Sequence, residues 1–232
     1  MKELLAFEKK LNFTFKNKDL LKTSLTHRSY LNEHRDYYLP HNERLEFLGD
    51  AVLELAVTGY LYENYSKPEG ELTNLRSALV NYKMLSEIAR DLDISEYLLL
   101  SRGEAKDQGR ARQVILANAM EAVIGAMYLD SGFEKTHDFI KKNILVRLPQ
   151  IIKTGSFIDP KSKLQELVQD KSGITPTYKV LSEEGPDHKK IFAMGVYVEN
   201  NEVGSGTGPS KQEAELTAAE DALLKERWKK FV

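Results

Sequence analysis

The chain contains no cysteine, which excludes disulfides and thiolate-held zinc or iron–sulfur centres. It also lacks an apolar leader. The first eighteen residues, MKELLAFEKKLNFTFKNK, are charged throughout and contain no h-region. No stretch approaches the length of a transmembrane helix, so a cytoplasmic protein with no membrane contact is expected. Nor is there a surplus of either charge: 33 Lys and Arg stand against 35 Asp and Glu, a net −2. Nucleic-acid-binding domains usually carry a basic excess, so any such function must rest on local arrangement. There is no internal repeat and no low-complexity tail. What remains is an ordinary globular composition, 41% hydrophobic and 29% charged over 232 residues, enough for one large domain or two smaller ones.

Two regions differ in grammar. Up to about Pro149 apolar residues recur at helical spacing, with turn signals at Lys67-Pro68-Glu69-Gly70, Gln108-Gly109 and Ser131-Gly132. An all-α domain over 1–152 follows. A polar linker, 153–158, leads into a piece at 159–232. It opens with a helix from Pro160 to a stop at Gly173. Strand-like runs follow at Thr177–Leu181, Lys190–Val198 and Glu202–Gly206. A long helix, Ser210–Lys230, closes the chain, with Ala214, Ala218, Ala219, Ala222 and Leu223 on one face. The second fold is therefore a small α+β unit of order α-β-β-β-α.

One predicted helix concentrates acid. At about 100° per residue, and with Glu43 at zero, Glu46, Asp50 and Glu54 fall at about 300°, 340° and 20°. Leu45, Leu48, Val52 and Leu55 lie opposite and are expected in the core. No Lys or Arg four residues on answers Glu46 or Asp50. Phe47 stands on the flank of the acidic stripe, away from the core side, where an exposed aromatic suggests a partner surface. Such a stripe is either a solvated face or a site for a hard cation such as Mg2+, which takes oxygen ligands.

A second helix offers Asn118 and Glu121, three residues apart and so on one face, with Met120, Val123, Ile124 and Met127 on the other. Glu121 is the only formal charge between Arg112 and Asp130; it is capped by a buried arginine or coordinates a metal. Glu69 and Glu71 suit the first turn of a helix through its macrodipole.

The segments Asn42-Glu43-Arg44-Leu45-Glu46-Phe47-Leu48-Gly49-Asp50 and Ile115-Leu116-Ala117-Asn118-Ala119-Met120-Glu121-Ala122-Val123-Ile124-Gly125-Ala126 closely resemble signatures of the ribonuclease III family. Leu25-Thr26-His27-Arg28-Ser29-Tyr30 and Glu69-Gly70-Glu71-Leu72-Thr73 match two further family segments. Lys163-Leu164-Gln165-Glu166-Leu167, Gly185-Pro186-Asp187-His188 and Gly206-Thr207-Gly208-Pro209-Ser210-Lys211 resemble a double-stranded-RNA-binding domain. Nearly the whole chain is covered, in the bacterial two-domain form. The resemblance implies a homodimeric endoribonuclease of double-stranded RNA that uses Mg2+, with Mn2+ as substitute. It would leave 5′-phosphate and 3′-hydroxyl ends with a short 3′ overhang, in the processing of ribosomal RNA precursors and some mRNAs. Metal ligands would be Glu46, Asp50, Asn118 and Glu121. Asp50, Glu121, Glu43 and Glu69 would be catalytic, the last two by helping to hold RNA, water or a second cation. Phe47 would pack across the dimer.

Position 118 departs from the family pattern, which has aspartate there. An amide still offers a carbonyl oxygen but no charge. The chain is then an engineered, cleavage-impaired variant, a natural one that tolerates the amide, or a duplex-RNA-binding regulator that does not cut. In the C-terminal piece, by the same resemblance, Gln165 and Glu166 would meet one minor groove and His188 the next. Ser210 and Lys211 would hold phosphate. Lys161 to Val232 carry 11 basic and 12 acidic residues. Gln212 stands where the family usually has a second lysine or arginine, so phosphate binding weaker and a salt dependence shallower than in a typical member are expected.

Overall fold

The computed structural model describes residues 4–155, 157, 159–186 and 189–231. The chain divides into two compact units, Met1–Phe157 and Ile158–Val232.

The first unit is helical: α1 (Leu4–Leu11), α2 (Lys18–Ser24), α3 (Arg28–Glu33), α4 (Glu43–Asn64), α5 (Glu69–Val80), α6 (Tyr82–Asp91), α7 (Ile94–Tyr97), α8 (Arg110–Asn143) and α9 (Leu148–Thr154). Its most extensive helix pair is α4 with α8, and α6 and α2 also cover α8. Met120, Val123, Ile124 and Met127 are fully buried, as their spacing predicted. Leu45 and Val52 are buried too, whereas Leu55 is 62% exposed. Leu55 lies at the margin of the apolar arc nearest Phe47, beyond the side that α8 covers.

The stretch beginning at Arg110 contains an 18-residue window of mean hydropathy 1.3, long and apolar enough to cross a membrane. The sequence expectation that no such stretch exists is therefore corrected. These residues form the central core helix, where tertiary neighbours cover the apolar surface. At Gly132 the backbone leaves helical geometry (φ 79°), which a glycine accepts without the steric cost borne by other residues. Two ends are pinned to distant loops. Asp130 accepts from the backbone N–H groups of Lys16 and Asn17 (3.1 and 2.8 Å). Buried Asn42, preceding α4, accepts through its backbone carbonyl from the N–H groups of Leu45 and Glu46 (both 2.9 Å), and donates through its backbone to the Thr26 carbonyl (2.9 Å) and through its side chain to that of Ser24 (3.3 Å). Helix α9 continues through Thr154 to a left-handed Gly155, so the polar stretch assigned to a linker begins inside a helix.

The second unit runs α10 (Pro160–Ser172), β1 (Thr177–Glu184), β2 (Ile191–Val198), β3 (Asn201–Gly208) and α11 (Lys211–Lys225). The three strands form an antiparallel sheet in order β1-β2-β3. Its core joins Leu164 and Val168 of α10 to Val196, Val198, Val203 and the alanine face of α11. A Cβ at Gly204 would come within 2.6 Å of the Ala218 carbonyl oxygen, so helix and strand are seated closer than side chains on both would permit. The last helix is shorter than its periodicity suggested. Glu226 turns left-handed (φ 50°), and a 3-10 turn, Arg227–Lys230, folds Trp228 into the core at 3% exposure.

Candidate active site and RNA-binding surface

The acids of α4 and α8 are brought together by two glycines. A Cβ on Gly49 would lie 1.8 Å from the backbone oxygen of Glu121, and one on Gly125 would lie 2.2 Å from that of Leu45. The helices therefore touch backbone to backbone. Glu46 and Asp50 flank Gly49, while Asn118 and Glu121 precede Gly125 on the facing side of α8. Helical spacing turns this single crossing into a four-residue site.

The electrostatics carry the signature of crowded acid. Glu121 is half-buried, and no basic side chain among the described residues pairs with it. Burial first, then the charges of Asp50 and Glu46, push its carboxyl from 4.5 up to about 8. Burial also raises Glu46, aided by Glu43 and Asp50, while the facing Asn118 amide favours its ionised form. The arginine-capped alternative for Glu121 is thus ruled out among the described residues. These donors are all hard oxygens, and an added cation would relieve the repulsion, so they fit Mg2+ chemically. Among the described residues no three His, Asp or Glu side chains are gathered as a ready-formed metal site. The fourth member of the set, Asn118, is an amide.

Glu43 points elsewhere, with Arg28 at 3.6 Å and His41 at 3.8 Å. Glu69 opens α5 and accepts from the Thr73 hydroxyl at 3.2 Å. It lines a 420 Å3 hollow with Leu61, Tyr62, Leu72 and Arg76. That places it about 18 Å along α4 from Asp50, counted over twelve residues to Tyr62. Within one chain it does not join the other acids. Phe47 is 81% exposed at the rim of a 740 Å3 hollow lined by Leu20, Pro40, Leu48 and Leu129.

In the second unit Gln165 and Glu166 are exposed on α10. Ser210 caps α11, its hydroxyl accepting from the Glu213 N–H (3.2 Å), so its first role is structural. Lys211 pairs with Glu183 at 3.0 Å. His188 lies outside the described residues.

Residues 17–148 match the Ribonuclease-III-like family, and residues 160–226 match the double-stranded RNA binding motif. The chain belongs to the ribonuclease III family. A ribonuclease 3 of Borreliella burgdorferi is 47% identical over 95% of this chain and 90% of its own. That of Nitratiruptor is 45% identical over 96% of each. The solved nuclease domain of a Campylobacter jejuni ribonuclease III, described as structurally flexible in a region involved in dimer formation, superposes with a TM-score of 0.53. It is 42% identical and covers 59% of this chain and 95% of its own. A family nuclease domain joined to a duplex-RNA-binding motif makes the chain an endoribonuclease of double-stranded RNA. The non-cutting regulator is not favoured.

Sequence reasoning found the acids but missed Gly49 and Gly125, which position them. A signal was present: each glycine follows a site glutamate by three or four residues, on the same helical face.

Proposed function

We propose that the chain hydrolyses duplex RNA as a Mg2+-dependent homodimer, with Glu46, Asp50, Asn118 and Glu121 holding the cation. The supporting observation is Glu121, half-buried against two other acids with no basic partner among the described residues, and held protonated up to about pH 8. A purely structural site would be costly to keep in this state. Bound there, the metal would supply activation of water and stabilisation of the leaving oxygen. Water adds to phosphorus, the bond to the 3′ oxygen breaks, and that oxygen takes a proton, leaving 5′-phosphate and 3′-hydroxyl ends. The chain's own task is to hold three carboxylates and the Asn118 carbonyl around one point, and to keep Glu121 protonated below about pH 8 until a cation is bound. Glu43, between Arg28 and His41, would orient RNA or water.

Phe47, Leu55 and Tyr62 form an exposed apolar stripe along α4, at 81%, 62% and 81%. Pairing with a second copy would cover it. In an antiparallel pair centred near Leu55, Phe47 meets the hollow beside the second copy's Tyr62, and Glu69 of that copy approaches Glu43. Such a pair carries two sites, one for each strand of a duplex. Ribosomal RNA precursors and some mRNAs in the cytoplasm are the proposed substrates, and Mn2+ the substitute ion.

The test is cleavage of a long duplex RNA over a range of Mg2+ and Mn2+, with Asn118→Asp alongside. Both proteins should cut, the variant at lower metal. If neither cuts at any concentration, the nuclease reading fails.

A further inference from the structure

Glu183 and Phe192 are directly opposed on β1 and β2, so their side chains stand on one face of the sheet. Lys190, two residues before Phe192, belongs to that face as well. Lys211 reaches the same place from the first position of α11. Both ammonium groups lie over the Phe192 ring, at 5.9 and 5.5 Å from its centroid. Between them sits the Glu183 carboxylate, 3.4 Å from Lys190 and 3.0 Å from Lys211. Hydrogen bonds from Lys211 and then Lys190 hold that carboxyl below its ordinary range.

Two cations on an aromatic floor, bridged by one anion, have the chemistry of a phosphate seat. We propose that Lys190 and Lys211 together seat one backbone phosphate of duplex RNA, and that Glu183 is an internal anion which the RNA must displace. The inference rests on the duplex-RNA-binding reading of this unit. It also revises the expectation drawn from Gln212: the second positive charge comes from Lys190, twenty-one residues before Lys211 in the chain. Glu183 then sets both affinity and salt response. Once displaced, its carboxylate takes up a counter-cation, which offsets part of the cation release from the RNA.

The experiment is a salt titration of duplex-RNA binding by the full chain, with chelator present so that no strand is cut. Glu183→Gln should bind about two- to fivefold more tightly at low salt, the scale of an exposed ion pair. Its slope of log affinity against log salt should be steeper by up to about one. Glu184→Gln is the control: it makes the same charge change one residue along β1, on the opposite face. Lys190→Gln added to Glu183→Gln should abolish the gain. If Glu183→Gln matches Glu184→Gln, or its gain survives loss of Lys190, the seat is refuted. Failure of the unsubstituted chain to bind duplex RNA would instead overturn the reading of the whole unit, and the inference with it.

Discussion

Glu121→Gln should stabilise the metal-free protein while abolishing its activity. In the folded chain the Glu121 carboxyl keeps its proton until about pH 8, whereas its ordinary value is 4.5. Between those values the unfolded chain binds fewer protons than the folded one, so stability falls as pH rises. The penalty is absent below about pH 4.5 and complete above about pH 8. At about 1.4 kcal/mol per pH unit the ceiling is about 5 kcal/mol. Asp50 and Glu46 share the repulsion and can themselves take up protons, and a buried glutamine amide must still find a partner. We therefore expect roughly 1–3 kcal/mol. The assay is urea unfolding in chelator at pH 5, 7 and 9, following the transition of the nuclease unit for both proteins. Taking the difference between them cancels every other titrating group. The gain should be near zero at pH 5 and greatest at pH 9. Mg2+ should restore stability to the original chain and not to Glu121→Gln, and its affinity for the original chain should rise with pH up to about 8. A gain that is flat across pH, or a loss at pH 9, would refute the reasoning.

Other perturbations probe the geometry around that site. Gly49→Ala places a methyl 1.8 Å from a backbone oxygen, where only separation of α4 from α8 gives relief. A cost of about 3 kcal/mol or more in thermal or urea unfolding is expected, with loss of cleavage. Gly59→Ala on the same helix meets nothing within 4 Å and should stabilise by about 0.5–1 kcal/mol, the helix-propensity gain. Phe47→Asp should leave the folded protomer within about 0.5 kcal/mol of the original but dissociate the proposed dimer in sedimentation. Trp228→Ala removes a side chain 3% exposed in a small core, at a cost of about 3–5 kcal/mol. Calorimetry should show the C-terminal transition lowered or lost while that of the nuclease unit stays.

Local pattern carried much of the fold. Period-3.6 spacing in α8, the proline and glycine bracketing α10, and alternation in β2 each report a preference set within a few residues. Where a distant contact intervened, that reading went wrong. Leu55 belongs to the apolar arc of α4 but finds no helix over it, and the last helix stops at Lys225 because Trp228 must turn back into the core.

The sequence by itself determined which side chains could do chemistry: acids stacked on one helix, a lone carboxylate in an apolar one, and an amide at position 118. Their motifs also carried the resemblance to the family. Only the tertiary structure decided how those groups meet. The contact of Gly49 with Gly125, the raised Glu121 carboxyl and the seating of Lys190 beside Lys211 all join residues far apart in the chain. Burial and Coulomb interaction depend on distance in space, and periodicity along the chain does not encode it.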